Sequence, residues 1–362
     1  MRPPRVAVVM SVYNGERYLR EAIDSILRQS LQDFEFLIID DGSEDRSAAI
    51  VRSYSDARIQ LIVNNRNIGL AASLNIGIDA AKCRYIARMD CDDISLSKRL
   101  ETQVAFLERH PDIGICGTRI DLIGNPAARM AGFSSDDSSI RAGLIFDSTL
   151  AHPSVMMVRQ LLQDHGLRYD TSFARAQDYE LWTRCAIYTK FANIPQTLLR
   201  YRVQEDSLAG KGADKQLAMA GRVRLNQLHL LGVHPTQAEF ALHHAVSSWR
   251  FRADHDSLER LEKWFERLIQ ANAVVKRYPS PAFHRIVAEK WIYACNVAAR
   301  QAPGLAAWRH FRRSPLTSFG GRSLLRELKL LGKCLVGRDN ATAGQTALTP
   351  GNAAVGQAEH LS

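Results

Sequence analysis

No stretch of this chain approaches the ~20 consecutive apolar residues that a membrane-spanning helix requires. Its start, Met1-Arg2-Pro3-Pro4-Arg5, runs into an apolar segment of strand length and lacks a signal-type core. Together these predict a protein that begins here and stays in the cytoplasm. The six cysteines (Cys83, Cys91, Cys116, Cys185, Cys295 and Cys334) include no C-x-x-C pair and no metal-finger spacing. A disulfide scaffold and a structural zinc site are thereby excluded, and a reducing compartment fits. Internal repeats are absent. A composition of 46% hydrophobic and 23% charged residues excludes a disordered or collagen-like polymer, and 362 residues suffice for about two domains. Acidic residues are scarce toward the C-terminus: residues 300–339 hold nine Lys/Arg against Glu327 and Asp339, a net +7 of the overall +9. The basic character therefore sits outside the first half, and with no nucleic-acid-binding module in sight no nucleic acid partner is expected.

What is present begins with alternation. Residues 5–10 and 34–39 are β-rich, the second apolar throughout as a strand buried on both faces should be. Between them Tyr18, Leu19, Ala22, Ile23, Ile26 and Leu27 recur at helical spacing over 16–29. Ser43 is placed to cap a following helix. Segments 58–63, 70–81 and 84–89 continue the pattern as strand, helix and strand. Four strands in ninety residues predict an α/β domain with a mostly parallel central sheet. Beyond about residue 96 the pattern becomes irregular, with one clear helix at 100–108 and short segments at 113–116, 154–158 and 197–203. Past Gly210 only amphipathic helices are expected, at 216–231, 236–252, 257–272 and 281–300. The division predicted is 1–207 for the α/β domain, 208–338 for a mainly helical region, and 339–362 for a disordered tail poor in large apolar groups.

Chemistry concentrates in Arg88-Met89-Asp90-Cys91-Asp92-Asp93, at the carboxyl end of a buried strand. In extended chain Asp90 and Asp92 point to one side, where their charges repel unless a cation is shared. Carboxylates at such a strand end suit a divalent ion completed by water and phosphate oxygens. An acidic turn capping the next helix would give the same pattern.

These residues, taken with three others in order, resemble glycosyltransferase family 2, the inverting enzymes with a GT-A fold. The segment Val8-Val9-Met10-Ser11-Val12-Tyr13-Asn14-Gly15 is similar to the family's first strand and loop, which cradles the base. Phe36-Leu37-Ile38-Ile39-Asp40-Asp41-Gly42-Ser43 resembles the second, Asn67-Ile68-Gly69-Leu70 the third, and 88–93 the D-x-D segment. The resemblance covers residues 6 to about 203. It implies a glycosyltransferase, of the hexosyltransferase type, that takes a nucleotide-sugar, UDP being the commonest nucleotide in the family. Ser11, Tyr13, Asp41, Asn67, Gly69, Arg88, Asp90 and Arg202 would bind the donor, and Asp90 and Asp92 would hold Mg²⁺ or Mn²⁺. Asp41 would contact the uracil or ribose, although a plain turn residue is the local alternative.

The stretch Ala176-Gln177-Asp178-Tyr179-Glu180-Leu181-Trp182 is where the resemblance places the catalytic base, Asp178, with Gln177 standing where the family usually has Glu. On local grounds an aspartate in a helix's first turn is most often only a cap. His152 and Trp182 would lie toward the acceptor, a glycan or lipid-linked hydroxyl. Arg200 or Arg202 could neutralise the departing pyrophosphate, because Gln204 and Glu205 follow where the family often has His. Two other classes compete: a sugar nucleotidyltransferase, disfavoured because residues 11–18 have one Gly and no Lys, and a non-catalytic binding protein, disfavoured because Asp92 and Asp178 are both present. Finally, Arg322, Arg326, Lys329 and Lys333 form a basic stripe beside Leu324, Leu325, Leu328, Leu331 and Leu335. The segment 304–338 can therefore meet an anionic membrane peripherally, or pack its leucines on the preceding helices.

Overall fold

The computed structural model describes residues 4–124, 133–203, 211–254, 256–301, 305–320 and 324–336. Chain order runs β1 (Val6–Val12), α1 (Leu19–Leu27), β2 (Phe34–Asp40), α2 (Ser47–Arg52), β3 (Ile59–Val63), α3 (Leu70–Ala80), β4 (Tyr85–Asp90), β5 (Ile94–Ser95) and α4 (Arg99–Arg109). It continues through β6 (Ile113–Ile123), α5 (Asp137–Gly143), β7 (Met156–Val158), α6 (Arg159–Asp164), α7 (Gln177–Cys185) and β8 (Lys190–Arg202). The eight strands make one sheet in the order β3-β2-β1-β4-β7-β6-β8-β5. Strands β1 to β4 are mutually parallel, β6 and β8 pair in parallel, and β7 and β5 join antiparallel. The expected α/β class with a mostly parallel sheet is thus found.

Alternation explains how one strand serves two cores. Ala7 and Val9 face α3 with Leu37 and Ile39, whereas Val6, Val8 and Met10 face α1 with Phe36 and Ile38. All seven residues of β1 are buried, as covered parallel strands must be. Gly77 lets α3 close on the sheet, because a Cβ there would sit 2.3 Å from Val9 Cγ1.

Helices follow: α8 (Lys211–Leu230), α9 (Gln237–Ser247), α10 (Ser257–Val275), α11 (Ser280–Gln301), α12 (Ala306–Arg313), α13 (Leu316–Phe319) and α14 (Leu324–Val336). The long helix α11 is the centre of this region, with Phe283, Val287, Trp291, Ala294 and Ala298 all buried. Truncating a residue such as Trp291 to Ala would cost about 3–5 kcal/mol. The same core reaches Ala142, Ile145 and Phe146 of the α/β part, so the two regions share apolar packing.

Some expectations needed correction. Ser43 does not cap α2: the N-cap is Arg46, and Ser43 instead accepts from Asn14. The strands expected as short pieces at 113–116 and 197–203 belong to runs of 11 and 13 residues, because β6 and β8 support each other along their length. Helices α5 and α6 are too short for periodicity to announce. Among the described side chains of α14, Leu330 and Cys334 are packed while Leu328 and Leu335 of the expected leucine stripe face outward. The boundary at 207/208, Gln204, Glu205, Arg322 and the tail 339–362 lie outside the described residues, as does the side chain of Arg326.

Candidate active site

The carboxyl ends of β1, β2 and β4 meet at one edge. Parallel register sets Ser11 beside Asp90 and Val12 beside Asp40, the position at which open α/β sheets bind ligands. Ser11 is buried on its strand, and Tyr13 stands exposed beyond it. The loops leaving β1 and β2 are laced together. Asn14 N–H donates to Ser43 Oγ (3.0 Å), Glu44 N–H to Asn14 Oδ1 (2.9 Å) and Gly15 N–H to Ser47 Oγ (2.9 Å).

Asp41 is used inside the fold. Its carboxylate accepts from Asn64 Nδ2 (2.9 Å), Ile68 N–H (3.0 Å) and Gly69 N–H (2.9 Å). It therefore anchors the loop into α3, where the expectation was a contact with base or ribose. Asn67 Oδ1 accepts from the same Gly69 N–H (3.1 Å), and Gly69 takes φ +92°, which its lack of a side chain permits.

The acid cluster forms as expected and gains a member. Asp90, Asp92 and Asp93 each offer an oxygen within 4.8 Å of the others. Asp93 is buried, with Oδ1 accepting Arg202 N–H (2.8 Å) and Oδ2 left without a partner among the described residues. Burial, then the charges of Asp90 and Asp92, push its pKa well above the usual range. Buried Arg88 pairs with Asp90, while its Nε and Nη1 have no partner among the described residues. Arg99, fully buried and lowered to about 10 by desolvation, donates to the Arg88 carbonyl (2.5 Å) and fixes that strand end. Arg202 was expected at the donor, but it is committed elsewhere: Nε donates to the Asp92 carbonyl (2.8 Å), Nη2 pairs with Glu21 (2.6 Å), and the guanidinium lies 4.1 Å from the Tyr18 ring. Its place is behind the acid cluster, bracing it.

Asp178 lies in the first turn of α7. Its Oδ2 accepts from Ser148 Oγ (3.2 Å). Desolvation raises its pKa and the Asp147 charge adds to this, against the Tyr179 N–H, Ser148 and Arg88, which lower it. Glu180, the other acid of this turn, is closed off by Arg184 through two contacts of 2.6 Å. His152 joins Tyr169 Oη (2.7 Å), and burial followed by the Arg88 charge drives its pKa well below the usual range, leaving it neutral. Trp182 is wholly buried, with its ring 6.1 Å from His152, so it supports His152 from the core and does not face an acceptor.

The segment carrying Ser148 is gripped one carbonyl after another. Leu144 O accepts from Tyr179 Oη (2.6 Å), Ile145 O from His243 Nε2 (3.0 Å), Phe146 O from Arg224 Nε (2.6 Å) and Thr149 O from Asn193 Nδ2 (3.0 Å). Two of these four donors, Arg224 and His243, come from the helical region. Sequence pattern gave no sign of Ser148, Tyr169, Arg224 or His243. Asp93 did have a signal, as the third acid of its run.

Comparison with known proteins agrees with this geometry. Residues 7–148 match the profile of Glycosyl transferase family 2. The uncharacterized glycosyltransferase MJ1057 of Methanocaldococcus jannaschii is 37% identical over 211 residues, 56% of this chain and 72% of that protein. The O-antigen biosynthesis glycosyltransferase WbnJ of Escherichia coli is 31% identical over 209 residues, 56% of this chain and 81% of WbnJ. Among solved structures, S. aureus TarS 1–349 in complex with UDP-GlcNAc superposes with a TM-score of 0.53 at 16% identity, covering 94% of this chain and 95% of that one. The chain belongs to glycosyl transferase family 2. It is an enzyme of the glycosyltransferase type, and its sheet followed by helices is a GT-A-like arrangement.

Proposed function

We propose that this protein transfers a sugar from a UDP-sugar to a hydroxyl acceptor, inverting the anomeric carbon, in the assembly of cell-surface polysaccharide or glycolipid. The carrying observation is the acid cluster itself: Asp90, Asp92 and Asp93 gather their carboxylate oxygens just beyond β4, where buried Arg88 pairs with Asp90. WbnJ's role in O-antigen biosynthesis and the TarS complex with UDP-GlcNAc support the substrate class.

Asp90, Asp92 and Asp93 fit a hard divalent cation: all donors are oxygen, and one oxygen of Asp93 is buried without a partner among the described residues. Such an ion, Mg²⁺ or Mn²⁺, would supply charge compensation for the diphosphate. The remaining work falls to side chains. Asp178 takes the proton of the acceptor hydroxyl as that oxygen bonds to the anomeric carbon and the bond to the nucleoside diphosphate breaks. Its raised pKa brings it nearer to the pH at which it works. Arg88, with two N–H groups unpartnered among the described residues, is the cation available to the departing oxygens. Tyr13, Ser11 and Asn67 border the nucleotide end, and His152, kept neutral by burial and the Arg88 charge and joined to Tyr169, borders the acceptor.

Release of nucleoside diphosphate from a panel of nucleotide-sugars, with divalent ions and an acceptor extract, tests the proposal. UDP release that needs both ion and acceptor is expected. Release of GDP alone would overturn the nucleotide, and formation of UTP and sugar 1-phosphate only when pyrophosphate is added would indicate a nucleotidyltransferase instead.

A further inference from the structure

A cavity elsewhere on the protein shares no residue with the candidate active site. About 470 Å³ in volume, it lies where α5 meets the turn between α10 and α11, lined by Arg141, Ala273, Lys276, Arg277, Tyr278, Pro279 and Ser280. Three of these side chains are cationic and none is acidic. Arg141 reaches Asp137 at 3.9 Å and donates to the Thr189 carbonyl (3.3 Å), and Arg277 Nε is buried with no acceptor among the described residues. A half-buried guanidinium with an unmet N–H is a standing cost that an oxyanion would remove.

The turn is held ready for such a ligand. Buried Asn272 accepts the Tyr278 N–H (2.9 Å) and donates to the Tyr278 carbonyl (3.0 Å), while Gln227 Oε1 receives Arg277 Nη2 (3.1 Å) and Tyr278 Oη (3.2 Å). Beside it the surface is unusually apolar. Val274 is 82% exposed, Val275 46% and Leu230 47%. Val275 also reaches the turn after α8, with Cγ2 3.6 Å from where a Cβ on Gly232 would stand. Exposed aliphatic residues at two neighbouring helix ends, adjoining a cationic cavity, combine the two attractions that hold a protein at a bilayer surface.

We propose that this face docks on a membrane containing anionic phospholipids, with a lipid phosphate in the cavity and Val274, Val275 and Leu230 among the headgroups and upper acyl chains. A soluble phosphate would satisfy the arginines but gives no account of the aliphatic rim, so the lipid is the occupant chosen. The segment 304–338 is a separate candidate for membrane contact, although its helix α14 buries Leu330 and Cys334, and Lys333 Nζ donates to Asn296 on α11 (2.8 Å).

Sedimentation of the full-length protein with phosphatidylglycerol–phosphatidylcholine vesicles, against phosphatidylcholine alone, separates these surfaces. Binding to the anionic vesicles only, weakening as salt rises, is expected. The pair Val274→Ser and Val275→Ser should reduce it at least tenfold at unchanged charge. Arg141→Gln and Lys276→Gln should each reduce it about fivefold. The exposed Lys276→Glu serves if a double variant melts early. Leu328→Ser with Leu335→Ser should leave binding unchanged. UDP release with a soluble acceptor should persist throughout. Wild-type protein that ignores anionic vesicles at low salt would overturn the proposal. So would valine variants that bind as well as wild type while inorganic phosphate competes, the result for a soluble-anion site, or a loss confined to the α14 variants.

Discussion

Asp41 accepts the backbone N–H of Gly69 at 2.9 Å, and that bond, with those from Ile68 and Asn64, makes the residue a fastener for the loop entering α3. Asp41→Asn keeps the shape but turns one acceptor oxygen into a donor facing N–H groups. A loss of about 1–3 kcal/mol in stability is expected, with weaker UDP binding as a consequence. Thermal melting checks this: unchanged melting with impaired UDP affinity would return Asp41 to direct nucleotide contact.

Asp92→Asn should abolish the part of UDP affinity that depends on Mg²⁺ or Mn²⁺, because a neutral amide cannot offset the charge of ion and diphosphate together in a partly dry crevice. Calorimetric titration of UDP, with and without Mn²⁺, is the measurement. Equal affinity in variant and wild type would take Asp92 out of the ion site.

Asp178→Asn should leave UDP binding intact and lower transfer by about 10²-fold or more. It should also melt at a higher temperature at pH 7. The sign follows from burial: a carboxyl whose folded pKa is raised contributes stability at low pH and loses it as pH climbs through that pKa, so at neutrality the ionised form is a net cost that the amide removes. Because Glu180 is held by Arg184, Glu180→Gln should keep most turnover. The opposite pattern would move the base to Glu180.

Ser148→Ala removes a hydrogen bond that favours ionised Asp178. The acid limb of the kcat–pH profile should therefore move upward by about one unit, with the rate at high pH little changed. A uniform loss at every pH would mean that Ser148 shapes the site without tuning the base.

His243 sets a limit on acid tolerance. Its Nε2–H donates to Ile145 O (3.0 Å) and its Nδ1 accepts from Trp264 Nε1 (3.3 Å), so the neutral ring is the one that fits, and burial lowers its pKa to about 3. A folded pKa below the ordinary value of 6.5 gives stability that is complete above pH 6.5 and is lost as pH falls toward 3, by about 1.4 kcal/mol per unit. Melting temperature followed from pH 7 to 4 should fall, and His243→Gln should melt lower at pH 7 yet decline less steeply. Parallel slopes would assign the acid sensitivity to other groups.

Much of this was legible because local chemistry announced it. Runs such as Phe34 to Ile39 declare a buried strand by apolar continuity, and three acids at a strand end declare a cation or a cap whatever the fold. Asp178 was findable through its motif. Its partner was not: Ser148 reaches it across thirty residues of chain, and no periodicity records a loop-to-helix contact. Asp41 and Arg202 fall in the same class. Their residue types suit a phosphate or a ribose, but which of several N–H groups or carboxylates a buried charge meets is decided by packing between distant segments.

The hold on carbonyls 144, 145, 146 and 149 bears on how such a protein can be recombined. Arg224 and His243 stand in the helical half, yet the atoms they grip belong to the strip whose Ser148 meets Asp178. A hybrid enzyme joined at residue 207, with helices taken from another transferase, would arrive with donors aimed at carbonyls of a foreign shape. The functional seam therefore does not follow the seam in secondary structure, and an exchange that keeps catalysis has to carry residues 144–149 along with the helices.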